Sequence, residues 1–476
     1  MSAGRRNGRK LAMPKVWTLV IMTLFALMVN IRLPFSIRDA AENTTTGIGV
    51  SSDLTIRSAE SEITNASEDG EAPLFATVAT TAVPEPSIAA NSGRKATIMF
   101  AGDVLMHSYL INGGETEDAT YDYDYLFQPI SSFLSVADYA ICNMEGTLGG
   151  KPYTGFPLFS APDELAGAIR VGGFKAATNA NNHTIDRGYE GVLRTHNVLK
   201  EAGLDVLGTR AGEDVDTWFI REINTINVGF SNYTYETARQ DGSRSLNGIK
   251  MSAETEELID SFSYEEPDFS ADLADMADRA TRMRESGAEA LVFILHWGTE
   301  YSSTENDYQV RVARALADAG VDVIFSCGPH VIQPVKSLRS ADGAHNTLVF
   351  YSGGNFVSDQ LYSTAGNNGR AEDGLLMMAQ FERDPSGDVR LSDSGYFLTY
   401  CYKNKYAENK THNTPIPVRA ALADPDQFNS HEYEYLLADS LERSQIVMSK
   451  NDVNGLRFRE FTWPDEIEED PFASSP

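Results

Sequence analysis

The chain has 476 residues, 42% of them hydrophobic, enough for two or three average domains or for one large α/β domain with appendages. A formal charge of −29 and a pI near 4.6 argue against nucleic acid as a partner, because a phosphate backbone demands Lys and Arg, and against peripheral docking on anionic lipid. Three cysteines, Cys142, Cys327 and Cys401, make no disulfide framework, and the odd count leaves at least one thiol free or otherwise employed.

At the N-terminus, Arg5, Arg6, Arg9, Lys10 and Lys15 precede the apolar run VWTLVIMTLFALMV at 16–29, the pattern of a secretory signal or signal anchor. A spanning helix needs about 20 apolar residues, and Ile31, Leu33 and Phe35 extend the run. The best match to a small-residue cleavage site, DAA at 39–41, is poor. An uncleaved anchor over residues 1–38 is therefore expected, with its basic end in the cytoplasm and the rest outside the cell. Residues 39–94 are rich in Ser, Thr, Ala, Glu and Pro without periodicity, which predicts a disordered extracellular stalk. A folded domain is expected over 95–402, followed by an extension over 403–476 that ends in the acidic tail DEIEEDPFASSP.

From residue 95 onward, strand-like apolar runs alternate with helical patterns, which predicts an α/β fold. ATIMFAGD (96–103) reads as a buried strand ending in Asp103, and VADYAICNMEG (136–146) as one ending at Asn143 and Glu145. GFKAATNANNH (173–183) ends at Asn182 and His183, and the helical pattern YEGVLRTHNVLKEAG follows. ALVFILHWG (290–298) delivers His296 ahead of a second helical pattern, DYQVRVARALADAG, and GVDVIFSCGPH (320–330) ends in His330. Ligands of α/β sheets bind at the carboxyl ends of strands, so these five ends can converge on one cleft.

Each residue alone also has a structural reading. An Asp after a strand is often a turn or cap residue, and a lone His is often structural. His196, inside a helical pattern, and His345, His412 and His431, in polar contexts, are read that way. Taken together, however, three of only eight histidines fall at strand ends. Imidazole, carboxylate and amide oxygen in one cleft suit a divalent metal such as Mn, Zn, Fe or Ni. A carboxylate can bridge two such metals, and a His beside them can stand as general acid.

The ordered set GDVLMH, NMEG, NANNHTIDRG, HWGTEY, GPHVIQP and YSGGNFV resembles the poly-γ-glutamate capsule synthesis family, CapA, over residues 96–360. That family is related to the calcineurin-like metallophosphoesterases. The resemblance implies a metallophosphoesterase-like α/β sandwich of β-sheets flanked by helices, holding one or two divalent metals. It implies Asp103 as a ligand of the first metal, Glu145 at the bridging position beside Asn143, and Asn182 as a ligand of the second. His183 would be the acid, with His296 and His330 completing the shell. His107 lies where some members carry a histidine, at an offset from Asp103 that departs from the wider superfamily. Relatives also carry a second histidine just before the last one, where this chain has Cys327 and Gly328. Cys327 is either a thiolate ligand or a small buried apolar residue. Asp186 either orients the His183 loop or caps the following helix. By resemblance the partners are an anionic surface polymer such as poly-γ-glutamate and other membrane proteins of capsule synthesis. The role is hydrolase or transferase, or else a catalytically silent assembly component.

Overall fold

The computed structural model describes residues 94–212, 216–361 and 370–467. The chain divides into two units, Met1–Val83 and Pro84–Pro476, and the described residues all belong to the second. The expected anchor and stalk lie outside the described residues. Among the described residues, no helix is long and apolar enough to cross a membrane.

Fifteen strands and five helices carry the architecture described below. In chain order they are β1 (Lys95–Leu105), β2 (Tyr139–Glu145), α1 (Glu164–Val171), β3 (Ala176–Thr178), α2 (Gly188–Glu201), β4 (Asp205–Leu207), β5 (Phe219–Ile223) and β6 (Ile226–Tyr235). There follow α3 (Asp268–Glu285), β7 (Ala290–His296), α4 (Asp307–Asp318), β8 (Val323–Cys327), β9 (Val335–Arg339), β10 (Asn346–Phe350) and β11 (Asn355–Val357). The remainder are β12 (Asp373–Arg383), β13 (Val389–Ala407), β14 (Lys410–Pro417), α5 (Glu434–Met448) and β15 (Arg459–Glu460).

Two large sheets pack face to face. The first runs β14-β13-β12-β1-β2-β3-β4, with β11 beside β1 and β15 beside β13; the second runs β9-β10-β8-β7-β6-β5. In the first sheet β1, β2, β3 and β4 are parallel, and in the second β6, β7, β8 and β10 are parallel. Parallel strands are covered on both faces, so their sequences read as unbroken apolar runs. Alternation still sorts the side chains between layers. Phe100 and Ile141 meet Phe230, Val292, Ile294 and Phe325 between the sheets, and the Phe100 and Phe325 rings stack at 5.9 Å. On the outer face of the first sheet, Met99, Ala101 and Cys142 pack under Ile169 of α1 and Leu199 of α2. On the outer face of the second, Leu291, Phe293 and Leu295 pack under Met276 and Met283 of α3 and Leu316 of α4. The result is the expected α/β sandwich of sheets flanked by helices.

Both expected helices form. The second, α4, starts at a capping box in which the Asn306 side chain accepts from the Gln309 backbone and the Gln309 side chain accepts from the Asn306 backbone. The third expected strand is shorter than its apolar run: β3 stops at Thr178, beyond which Asn179 and Asn181 donate their side-chain amides to the Met144 carbonyl of β2 and Thr184 donates to the Asn181 carbonyl. The boundary placed at residue 402 falls inside β13. Beyond it, β14 pairs with β13, and Arg443 of α5 makes a two-pronged ion pair with Asp373 of β12 at 2.8 and 3.0 Å. Residues 403–467 thus complete the first sheet and its packing; the last residues of the acidic tail, 468–476, lie outside the described residues.

Candidate metal centre

The carboxyl ends of β1, β2, β7 and β8 meet at one point between the sheets. Asp103, Asn143 and Glu145 come from the first sheet, and His296 and Cys327 from the second, with His330 three residues beyond; each is at most 2% exposed. Backbone geometry makes room for them. β1 bulges between Ala101 and Asp103, and a Cβ on Gly102 would lie 1.9 Å from the Gly354 carbonyl, so glycine is required there. The close approach lets the Asp103 amide donate to Gly354 at 3.2 Å and sets Asp103 opposite Asn355 in register.

Around Asp103 the distances are short. The Asn143 amide donates to Oδ1 at 2.8 Å, and the Gly328 amide donates to Oδ2 at 3.3 Å. His296 Nδ1 lies 3.8 Å from Oδ1, and His330 Nδ1 lies 3.4 Å from Oδ2. The Nε2 atoms of both histidines lie 3.8 Å from Glu145 Oε1. The donors form two compact groups, Asp103–His296–Cys327 and Asp103–Glu145–His330, each with its ligand atoms within 4.8 Å of one another. Asp103 is common to both, whereas Glu145, expected in the bridging position, falls in one.

The charges are held in an unusual balance. Burial raises the Asp103 carboxyl, but hydrogen bonding from His330 and the charges of His296 and His330 outweigh it and hold the group at about 2. Glu145 is pushed well above the usual carboxylate range by burial and by Asp103. Burial lowers His296 to about 4. Burial also opposes a charge on His330, yet Glu145 and Asp103 overcome it and push that imidazole up to about 10. Burial and neighbouring carboxylates push the Cys327 thiol well up.

Several of these polar atoms have no hydrogen-bond partner although buried: both oxygens of Glu145 and Nε2 of His296; Oδ1 of Asn182, in the loop after β3, is likewise unpartnered. Buried polar atoms are nearly always satisfied, so a cluster of orphaned acceptors beside two imidazoles calls for a cation. The set of imidazole, carboxylate, amide oxygen and thiol fits a borderline divalent metal.

The loop after β3 carries the second feature. His183 Nδ1 lies 2.8 Å from Asp186 Oδ2, which also accepts from the Phe159 amide at 2.6 Å. The Phe159 ring stands edge-on to His183 at 4.7 Å and to His107 at 5.2 Å. The Phe159 ring thus lies between His183 and His107. Of the two readings of Asp186, the orienting one fits: α2 begins after Arg187 with no side-chain cap, and Asp186 is spent on the imidazole and on Phe159. Cys327 packs in the core between the sheets, with Sγ 3.5 Å from His296 Nδ1.

His107 belongs to neither donor group. Its Nδ1 faces the Leu105 carbonyl and the Asp359 amide, each at 3.3 Å, so the ring lies at the edge of the centre. The four histidines read as structural are so placed: His196 faces Thr209, His345 the Val321 carbonyl, His412 the Gly113 carbonyl and His431 Asp426. Two contributors escaped the sequence reading. Asn355, inside the quoted YSGGNFV, meets His330, and Phe159 lies in a loop with no motif to mark it.

The model of the family described as bacterial capsule synthesis protein PGA_cap matches residues 97–360. The capsule biosynthesis protein CapA of Bacillus anthracis is 30% identical over 285 residues, 56% of this chain and 60% of that protein. This match thus spans less than two thirds of the relative's length. The PGA biosynthesis protein CapA of Bacillus subtilis strain 168 is 24% identical over 63% of this chain and 72% of its own length. Among solved structures, the NAD nucleotidase of Haemophilus influenzae superposes with a TM-score of 0.40 at 13% identity, over 79% of this chain and 66% of that one. With its quoted motifs inside the matched segment and their side chains gathered at one centre, the chain belongs to the bacterial capsule synthesis protein PGA_cap family.

Proposed function

We propose that this protein is a metal-dependent hydrolase or transferase that handles an anionic capsule polymer of the poly-γ-glutamate type. One observation carries the reading: a fully buried Glu145, both oxygens without a hydrogen bond, faces two imidazoles and shares a donor group with Asp103. Bound there, one or two divalent ions would supply Lewis-acid polarisation of a phosphoryl or acyl oxygen. Asp103, Glu145, Asn182, His296, Cys327 and His330 would hold them. The names of the two Bacillus relatives support a place in capsule synthesis.

The remaining chemistry belongs to the chain's own side chains. Asp186 fixes His183 through Nδ1, which leaves Nε2 to give a proton to a departing oxygen or nitrogen. Phe159 holds this pair twice, through its amide to Asp186 and its ring to His183. In this reading the basic cluster and apolar run at the N-terminus anchor the protein in the membrane, with the domain outside, beside the polymer and other membrane proteins of its synthesis.

A second reading, a silent assembly component, is favoured by the charge of −29, which repels a polyanion wherever bound cations do not offset it. Metal content and turnover of the purified full-length protein separate the two. The first reading expects bound divalent metal and cleavage of an aryl phosphodiester or of poly-γ-glutamate. Metal without turnover of either substrate supports the second, and no metal sinks the first. Protease added to intact cells should release the domain at the stalk, and protection until lysis would refute the topology.

A further inference from the structure

Asn355 lies in β11 opposite Asp103, on no strand end that the donor set uses. It is 1% exposed, and every polar atom of its side chain is engaged. Its Nδ2 donates to the Ala371 carbonyl at 3.0 Å and to Gln360 Oε1 at 3.2 Å. A carbonyl can only accept, so this contact fixes the amide orientation and leaves Oδ1 facing His330 Nδ1 at 3.0 Å. Oδ1 is likewise only an acceptor, and Asp103 Oδ2, a second acceptor, lies 3.4 Å from the same nitrogen, so Nδ1 of His330 must carry the hydrogen, with Asn355 as its nearer partner. A neutral His330 then has its lone pair on Nε2, the atom that lies 3.8 Å from Glu145 Oε1. His330 is held there against its backbone preference, with φ at +59°, a left-handed conformation uncommon for a residue with a side chain.

His296 is arranged in the opposite sense. Thr178 donates to Asn143 Oδ1 at 3.0 Å, so Asn143 Nδ2 points at Asp103 and lies 3.4 Å from His296 Nδ1. A donor therefore faces Nδ1 of His296, and an acceptor faces Nδ1 of His330. His296 Nδ1 lies 3.5 Å from Cys327 Sγ, and the Nε2 atoms of both histidines lie 3.8 Å from Glu145 Oε1.

We propose that Asn355 is the positioning residue of the centre: it fixes the tautomer and plane of His330 so that Nε2 alone is the metal-ligating atom. This rests on the metal reading given above. Asn355 touches neither metal nor substrate in this assignment and acts through His330. Outer partners of ligating histidines contribute about 10–100-fold in metal affinity.

The test uses the full-length protein with Mn²⁺ and Zn²⁺ as probes, read by titration calorimetry and by selectively ¹⁵N-labelled histidine spectra of the zinc-loaded form. N355L, close in size but without an acceptor, is expected to bind about 10–100-fold more weakly. N355D keeps the acceptor, loses the donors to Ala371 and Gln360, and is expected to bind close to wild type. A purely structural Asn355 would instead make N355D and N355L fail alike, and that result overturns the proposal. So does wild-type affinity in N355L. Should N355L not fold, the wild-type spectrum decides: His330 protonated on Nδ1 supports the assignment, and His330 protonated on Nε2 overturns it. Wild type without metal overturns both this inference and the metal reading, whereas unchanged affinity in N355L removes only the role of Asn355.

Discussion

The two sheets bring different chemistry to the same cleft. The first sheet supplies oxygen, from the carboxylates of Asp103 and Glu145, with the Asn143 amide donating to Asp103. The second supplies nitrogen and sulfur, from His296, Cys327 and His330. Each donor group crosses the interface, with Asp103 on one side and a histidine on the other. Metal affinity and sheet packing should therefore be coupled.

Removing the shared donor is the most severe test of that coupling. Asp103→Ala takes a ligand from both groups and should abolish retention of divalent metal, measured by elemental analysis; His296→Ala should lose metal despite leaving the first sheet intact. Full retention in Asp103→Ala would break the two-sheet account.

His183→Gln sharpens the comparison from the other side. It removes the proton donor and leaves every donor atom of the two groups in place. Metal content should stay at the wild-type level while turnover falls by about 10²–10⁴-fold. Metal loss equal to that of His296→Ala would make His183 a ligand instead.

Packing can be perturbed without touching a donor. Phe100→Ala deletes one ring of the stack joining the sheets and should cost about 3–5 kcal/mol by denaturant unfolding. If the sheets are coupled through the centre, metal affinity should fall with it. The converse is chelation: when free metal stands at about 100 times its Kd, its removal should lower stability by about 2.7 kcal/mol. An unchanged melting temperature after chelation would separate the metal from the fold.

The smallest effect concerns a histidine remote from the cleft. Burial, with a lesser contribution from Lys200, lowers His196 to about 4, below its ordinary 6.5. The folded state then binds fewer protons than the unfolded chain between these values, so stability is full above about 6.5 and is lost as pH falls through about 4. His196→Gln should flatten that part of the curve of melting temperature against pH, and an unchanged slope would assign the acid sensitivity to other groups.

The sequence by itself determined which strands are buried on both faces and which side chains stand at their ends. Parallel strands covered on both sides write continuous apolar runs, and the polar residue that interrupts each run is visible by contrast: Asp103, Glu145, His296 and His330 were legible for that reason. The sandwich followed from the alternation of strand and helix patterns. Tertiary structure alone decided the rest, because the remaining roles depend on contacts between residues far apart in the chain. Asp103 became the shared carboxylate when β8 and its loop came against β1. Asp186 chose the imidazole over the helix cap because the Phe159 amide folded back onto it. His107 falls outside both donor groups, its Nδ1 facing the Leu105 carbonyl and the Asp359 amide. Residues beyond 402 joined the first sheet because β13 runs on through that boundary to pair with β14. Asn355 acquired its place through a register with β1 that spans 252 positions of sequence, from Asp103 to Asn355, and no local pattern encodes such a pairing.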